Sequence, residues 1–104
     1  MSEKIRSKKV REFIEVLKDA IKNRVQVGFM RTMTIVNIGT TARTFKFAKL
    51  WHVEVNPWGF SVWVKFSKTP YSLLVRNPKE GVFQLHLLER YREVAKWTVK
   101  VSKK

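Results

Sequence analysis

The chain contains no cysteine, which excludes disulfides, zinc–thiolate centres and thiol catalysis. No uncharged apolar run approaches the ~20 residues that a membrane-spanning helix requires. The N-terminus, MSEKIRSKKV, lacks the apolar stretch of a secretory signal. These absences point to a cytoplasmic protein with no membrane partner. Glycine is scarce: the 4 residues, Gly28, Gly39, Gly59 and Gly81, are spread singly, so no glycine-rich phosphate loop can form. HExxH, GxSxG and a closely spaced carboxylate pair are also missing, and no cofactor, metal or enzymatic activity is implied. Acidic residues are the scarcest class relative to their opposites. Only 8 Asp+Glu stand against 22 Lys+Arg, a formal net charge of +14.

That excess repels itself and needs an anionic partner or salt to offset it. Nucleic acid is the commonest such partner, and an anionic membrane surface is second. The 104 residues, 44% hydrophobic and 12% aromatic, are enough for one domain with a true core. The chain therefore reads as a single nucleic-acid-binding domain over 1–104, with short basic tails, KIRSKK and VSKK, at its ends. Abundant lysine with few Asn and Gln is a composition of thermophilic proteins, which points to an archaeal or viral source.

Val10, Phe13, Ile14, Leu17, Ala20 and Ile21 recur at spacings of three and four, with charged residues opposite. They predict an amphipathic helix that starts at an N-cap Ser7 and follows a frayed basic arm. Its polar face carries both signs of charge, which suits neither a major-groove recognition helix nor a membrane-surface helix. The period then changes to two. Val27, Phe29, Met33 and Ile35 share one face of a first strand. Phe45, Phe47, Trp51, Val53 and Val55 share a face of a second, and Phe60, Val62, Val64 and Phe66 of a third, followed by Leu73 and Val75. NPWG at Asn56–Gly59 predicts a hairpin between the second and third runs, and KTP at Lys68–Pro70 closes the third. NPKEG fits either a hairpin turn or a helix cap. The preferred reading is a strand over Val82–Leu87, a short helix over Leu88–Lys96 and an extended tail. The expected fold is α+β: an antiparallel meander of four to five strands against an N-terminal helix, with a short C-terminal helix.

Aromatic and basic residues interleave along the strands, and this pattern carries most of the functional information. Nucleic acid offers phosphates to cations and flat base faces to rings, and stacking a base on an aromatic side chain is worth about 1–3 kcal/mol. Trp63 and Lys65 project from the face opposite Phe60–Phe66, Lys46 projects similarly from the neighbouring strand, and Trp58 stands at a hairpin tip. Arg31 and Lys49 interrupt the apolar face, which predicts an apolar groove left open beyond the helix and rimmed by these two cations. Arg43, Trp51, Lys68, Tyr71 and Arg76 complete the candidate set. It points to a non-enzymatic binder of single-stranded DNA or RNA with little sequence specificity. Alternative readings are an architectural duplex-binding protein, a small basic ribonuclease using His52 and His86 as acid and base, and a structural subunit of a viral or ribonucleoprotein particle. An open edge strand would invite homodimerisation.

Overall fold

The structure, a computed structural model, describes residues 7–57 and 59–101. One helix, α1 (Lys8–Lys22), is followed by eight strands: β1 (Gln26–Phe29), β2 (Thr34–Ile38), β3 (Thr41–Phe45), β4 (Ala48–Asn56), β5 (Gly59–Phe66), β6 (Tyr71–Lys79), β7 (Val82–Glu89) and β8 (Arg92–Lys100). They form two antiparallel meanders in chain order, a small sheet β1-β2-β3 and a large sheet β4-β5-β6-β7-β8. The α+β expectation holds in outline. The strand count and the C-terminal helix do not.

α1 begins where Ser7, in an extended conformation, accepts a hydrogen bond from the Val10 amide at 3.3 Å, satisfying one of the amides that a helix start leaves without a partner. Val10, Phe13, Ile14, Leu17 and Ala20 are buried. The stripe reaches both sheets at Phe13, whose ring meets Phe45 of β3 at 5.1 Å and Phe66 of β5 at 5.3 Å, both edge-on. Phe47, in the β3–β4 turn, completes the cluster at 6.2 Å from Phe13. α1 and the small sheet thus cover one face of the large sheet. Thr34, fully buried, ties the sheets together through a 2.9 Å hydrogen bond to the Ala48 carbonyl. The local Glu15–Lys18 pair at 3.2 Å is exposed and adds little.

The register defines two faces of the large sheet. The inner face carries the cross-strand row Val53, Val62, Val75, Leu85 and Trp97, and the row Leu50, Val64, Leu73, Leu87 and Ala95. The outer face carries the alternate residues. On the outer face Ser61, Ser72, His86 and Leu88 are buried, while Lys49, His52, Glu54, Lys65, Glu93, Lys96 and Thr98 are exposed.

Three departures from strict alternation matter. The first expected strand is broken by a turn at 30–33, closed by the Met30 amide on the Met33 carbonyl at 2.9 Å. As a result Val27 and Phe29 share their face with Val36 and Thr34, while Ile35 faces the other way opposite Gly28. A β-bulge between Leu50 and His52 shifts the β4 register. It reverses parity, so that Leu50, Val53 and Val55 point inward and Trp51 lies outside the apolar set. Finally, Arg90 and Tyr91, at φ 53° and 70°, form a two-residue turn with both residues left-handed, and the chain returns as β8 where a helix was expected. Leu88 and Ala95 pair with Glu93 and Leu87 in the β7–β8 ladder, and the expected extended tail belongs to it as far as Lys100. NPKEG is a hairpin turn, as one of its two readings had it.

Gly59 is demanded by packing. It pairs with Asn56 at the end of the β4–β5 hairpin, and a Cβ there would collide with the Asn77 backbone carbonyl.

Candidate nucleic-acid interface

Three cross-strand rows make up the outer face. Reading from β4 to β8, the first is Glu54, Ser61, Arg76, Gln84 and Thr98. The second is His52, Trp63, Leu74, His86 and Lys96. The third is Lys49, Lys65, Ser72, Leu88 and Glu93. Trp63 and Lys65 therefore lie side by side on the outer face. Trp63 is half-buried by its neighbours and Lys65 is exposed.

Trp51, which follows the inward Leu50, also lies on this face. Its ring lies 5.9 Å from Trp63 at 88°, and 5.6 Å from Tyr91 at 49°. The Lys65 ammonium stands 5.8 Å from the Trp51 ring centroid, within cation–π range. Trp51 is 41% exposed and Tyr91 70%. These rings form a cluster at the end of the sheet where β5 turns into β6 and β7 into β8.

Cations surround that cluster. Arg31, Lys49, Lys65 and Lys68 line an open cleft of about 450 Å³ together with Trp51 and the β5–β6 turn. A second cleft of about 190 Å³ adjoins it, lined by Trp51, Lys65, Ser72, Arg90 and Tyr91 among others. The two share Trp51, Lys65 and Thr69. The clefts thus combine cations with exposed aromatic surface, and no carboxylate among the described residues lines them.

Backbone strain concentrates at the same place. Among the described residues, four non-glycines have positive φ: Arg24, Lys68, Arg90 and Tyr91. Three of them line these clefts. Such conformations disfavour side chains with a Cβ and cluster at functional sites, where the arrangement is held by its surroundings. Here the Arg90 amide donates to the Pro70 carbonyl at 2.9 Å, holding the two turns together.

The expected site residues are not all gathered here. Arg31, Lys49, Trp51, Trp63, Lys65, Lys68 and Tyr71 are. Arg31 lies in the β1–β2 turn and Lys49 on the outer face opposite Lys65, so neither rims the inner apolar face. An apolar cleft does remain there, about 280 Å³, lined by Leu17, Val27, Phe60 and Phe83 among others, but its cation is Arg24. Lys46 is exposed in the β3–β4 turn rather than on a neighbouring strand. Arg43 belongs to the small sheet and is held by Glu12 of α1 at 2.7 Å. Arg76 lies half-buried in the row farthest from the clefts. Tyr71 is 4% exposed and part of the core, and it also lines the smaller cleft. Trp58 lies outside the described residues.

Tyr91 and Arg90 escaped the sequence reading. Their signal would have been a two-residue hairpin turn, but RY has none of the Asn or Gly that marks such turns. The histidines are both on the outer face, in one row, with β5 and β6 between them. Three strand spacings place them about 14 Å apart, too far to act as an acid–base pair on one phosphate. His86 instead bonds Glu93 through Nδ1 at 2.7 Å, and its buried Nε2 has no partner among the described residues.

Comparison of the chain with family models, with curated proteins and with solved structures finds no match, so the functional reading rests on the geometry of this site alone.

Proposed function

We propose that the protein is a non-enzymatic nucleic-acid-binding protein that takes single-stranded DNA or RNA on the outer face of its large sheet. The observation that carries this reading is the Trp51–Trp63–Tyr91 cluster bordered by Arg31, Lys49, Lys65, Lys68 and Arg90. Duplex binding uses cations and an element shaped to a groove; exposed rings add nothing to it unless bases are unstacked. Single strands use both rings and cations. Unpaired bases would stack on Trp51 and Tyr91 while phosphates follow the lysines and arginines around them. Stacking tolerates any base, so sequence preference is weak.

The test is a salt titration of binding to labelled single-stranded and duplex oligonucleotides. The expected result is tighter single-strand binding, with a log–log slope reflecting about four to six phosphate contacts at ~0.7 per contact. Equal affinity for both forms would favour an architectural duplex binder. No salt-sensitive binding would leave the face to a protein partner.

A further inference from the structure

We propose that two copies of the chain associate through β4, pairing edge to edge about a two-fold axis that passes beside Val53. β4 is a terminal strand of the large sheet. Its first part is covered: the Leu50 amide donates to the Met30 carbonyl at 2.7 Å, and Thr34 bonds Ala48. Beyond that point the cover ends. Residues 51 to 55 are all exposed, whichever face they occupy.

The orientation of the free backbone follows from the Leu50 bond. Leu50 is opposite Val64 on β5 and turns its amide away from β5. In an antiparallel ladder, residues that bond the neighbour alternate with residues that face away. Val62 is two positions from Val64, so its partner Val53 also directs its N–H and C=O to the open edge, and Val55 does the same. Neither makes a backbone hydrogen bond to another element among the described residues. Such an edge is a template for a further strand.

The occupant is argued from charge and shape. Edge strands are commonly protected by lysine, yet no Lys or Arg occurs between Lys49 and Lys65 in a chain of net charge +14. This is where two such chains can approach with least repulsion. The only ionisable residues on β4 beyond Lys49 are His52 and Glu54. Pairing centred on Val53 sets Glu54 of each copy beside His52 of the other, on the outer face, and makes the contact self-complementary as a two-fold interface must be. Centring on Glu54 would oppose two carboxylates. On the inner face, Val53 (47% exposed) and Val55 (81%) would lose water on association. The two large sheets would become one, with both Trp51 clusters on the same face.

The experiment uses the full chain without nucleic acid, so its outcome is independent of the binding proposal. Sedimentation equilibrium of the wild type is expected to give twice the 12.3 kDa chain mass, and Val55→Lys is expected to give the single-chain mass with an unchanged far-UV spectrum. Register is tested by oxidation. The chain has no cysteine, so Val53→Cys supplies one thiol on the axis, with Cα atoms ~5.5 Å apart, within disulfide range. Val55→Cys places its thiols about 13 Å apart along the strands. Val53→Cys should cross-link and Val55→Cys should not. A wild type that stays at 12.3 kDa up to millimolar concentration, or equal cross-linking of the two variants, overturns the proposal.

Discussion

Trp51 meets Trp63 edge to face at 5.9 Å, on the outer face that Trp51 shares with Lys49 two residues before it. Alternation from the inward Leu50 turns Trp51 outward, and the bulge that follows sets His52 opposite Trp63 and returns Val53 and Val55 to the inner face. β4 thereby presents two successive residues, Trp51 and His52, to the outer face. Without the bulge, Val53 and Val55 would point outward and the apolar face of β4 would end at Leu50.

Replacement of Trp51 by alanine is expected to weaken single-strand binding by about 1–3 kcal/mol with little change in stability, since the ring is 41% exposed. Trp63→Ala, which removes a half-buried ring, should lower both. Phe13→Ala is the contrasting case: its ring is fully buried among Phe45, Phe47 and Phe66, so it should lose about 3–5 kcal/mol of stability. Paired oligonucleotide titrations and urea unfolding separate the three.

Charge removal should be position-specific. Lys49→Gln and Lys65→Gln are each expected to reduce the salt slope of binding by ~0.7, one phosphate contact. Arg43→Gln should leave the slope unchanged, because Arg43 is on the small sheet beside Glu12. A slope that falls equally for all three would indicate diffuse attraction to the +14 surface rather than a site.

The Arg90–Tyr91 turn sets stability against function. Both residues sit at positive φ, where Asn and Gly are favoured. The double change Arg90→Asn, Tyr91→Gly should raise stability by about 1 kcal/mol or more through relief of left-handed strain and should weaken binding by removing a cation and a ring. Thermal unfolding and binding measured on one preparation check both signs. A variant that is less stable would show that the tyrosine ring's contact with Trp51 outweighs the strain.

Gly59→Ala should destabilise the fold by more than about 1 kcal/mol, because its Cβ meets the backbone carbonyl of Asn77, which cannot yield as a flexible side chain would. Gly28→Ala, with open space at that position, is the control and should be near neutral.

What could be read in the sequence was what obeys a period. The α1 stripe and Ser7 were legible because a helix buried on one side must repeat near 3.6 residues and needs a cap. The Phe60–Phe66 run and the NPWG hairpin were legible for the same kind of reason. The rest turns on breaks in periodicity. The turn at 30–33 divides what reads as one strand into two, and this creates the small sheet. The Leu50–His52 bulge has no composition of its own, and it hides the change of parity between Leu50 and Val53 that leaves Trp51 outside the core set. The RY turn lacks turn residues, so Leu88–Lys96 could be read as a helix stripe when it is two strands and a reversal. Trp63 and Lys65 fall on the face opposite Phe60–Phe66, as alternation predicts, because β5 is an interior strand and keeps strict alternation throughout.

The most direct test of the account is tryptophan emission during titration with a single-stranded oligonucleotide. The measurement uses a Trp58→Phe, Trp97→Phe background, which leaves Trp51 and Trp63 as the only indoles. The account predicts strong quenching that saturates with binding and is largely lost on Trp51→Phe. Binding that saturates while the emission of both indoles stays unchanged would contradict it.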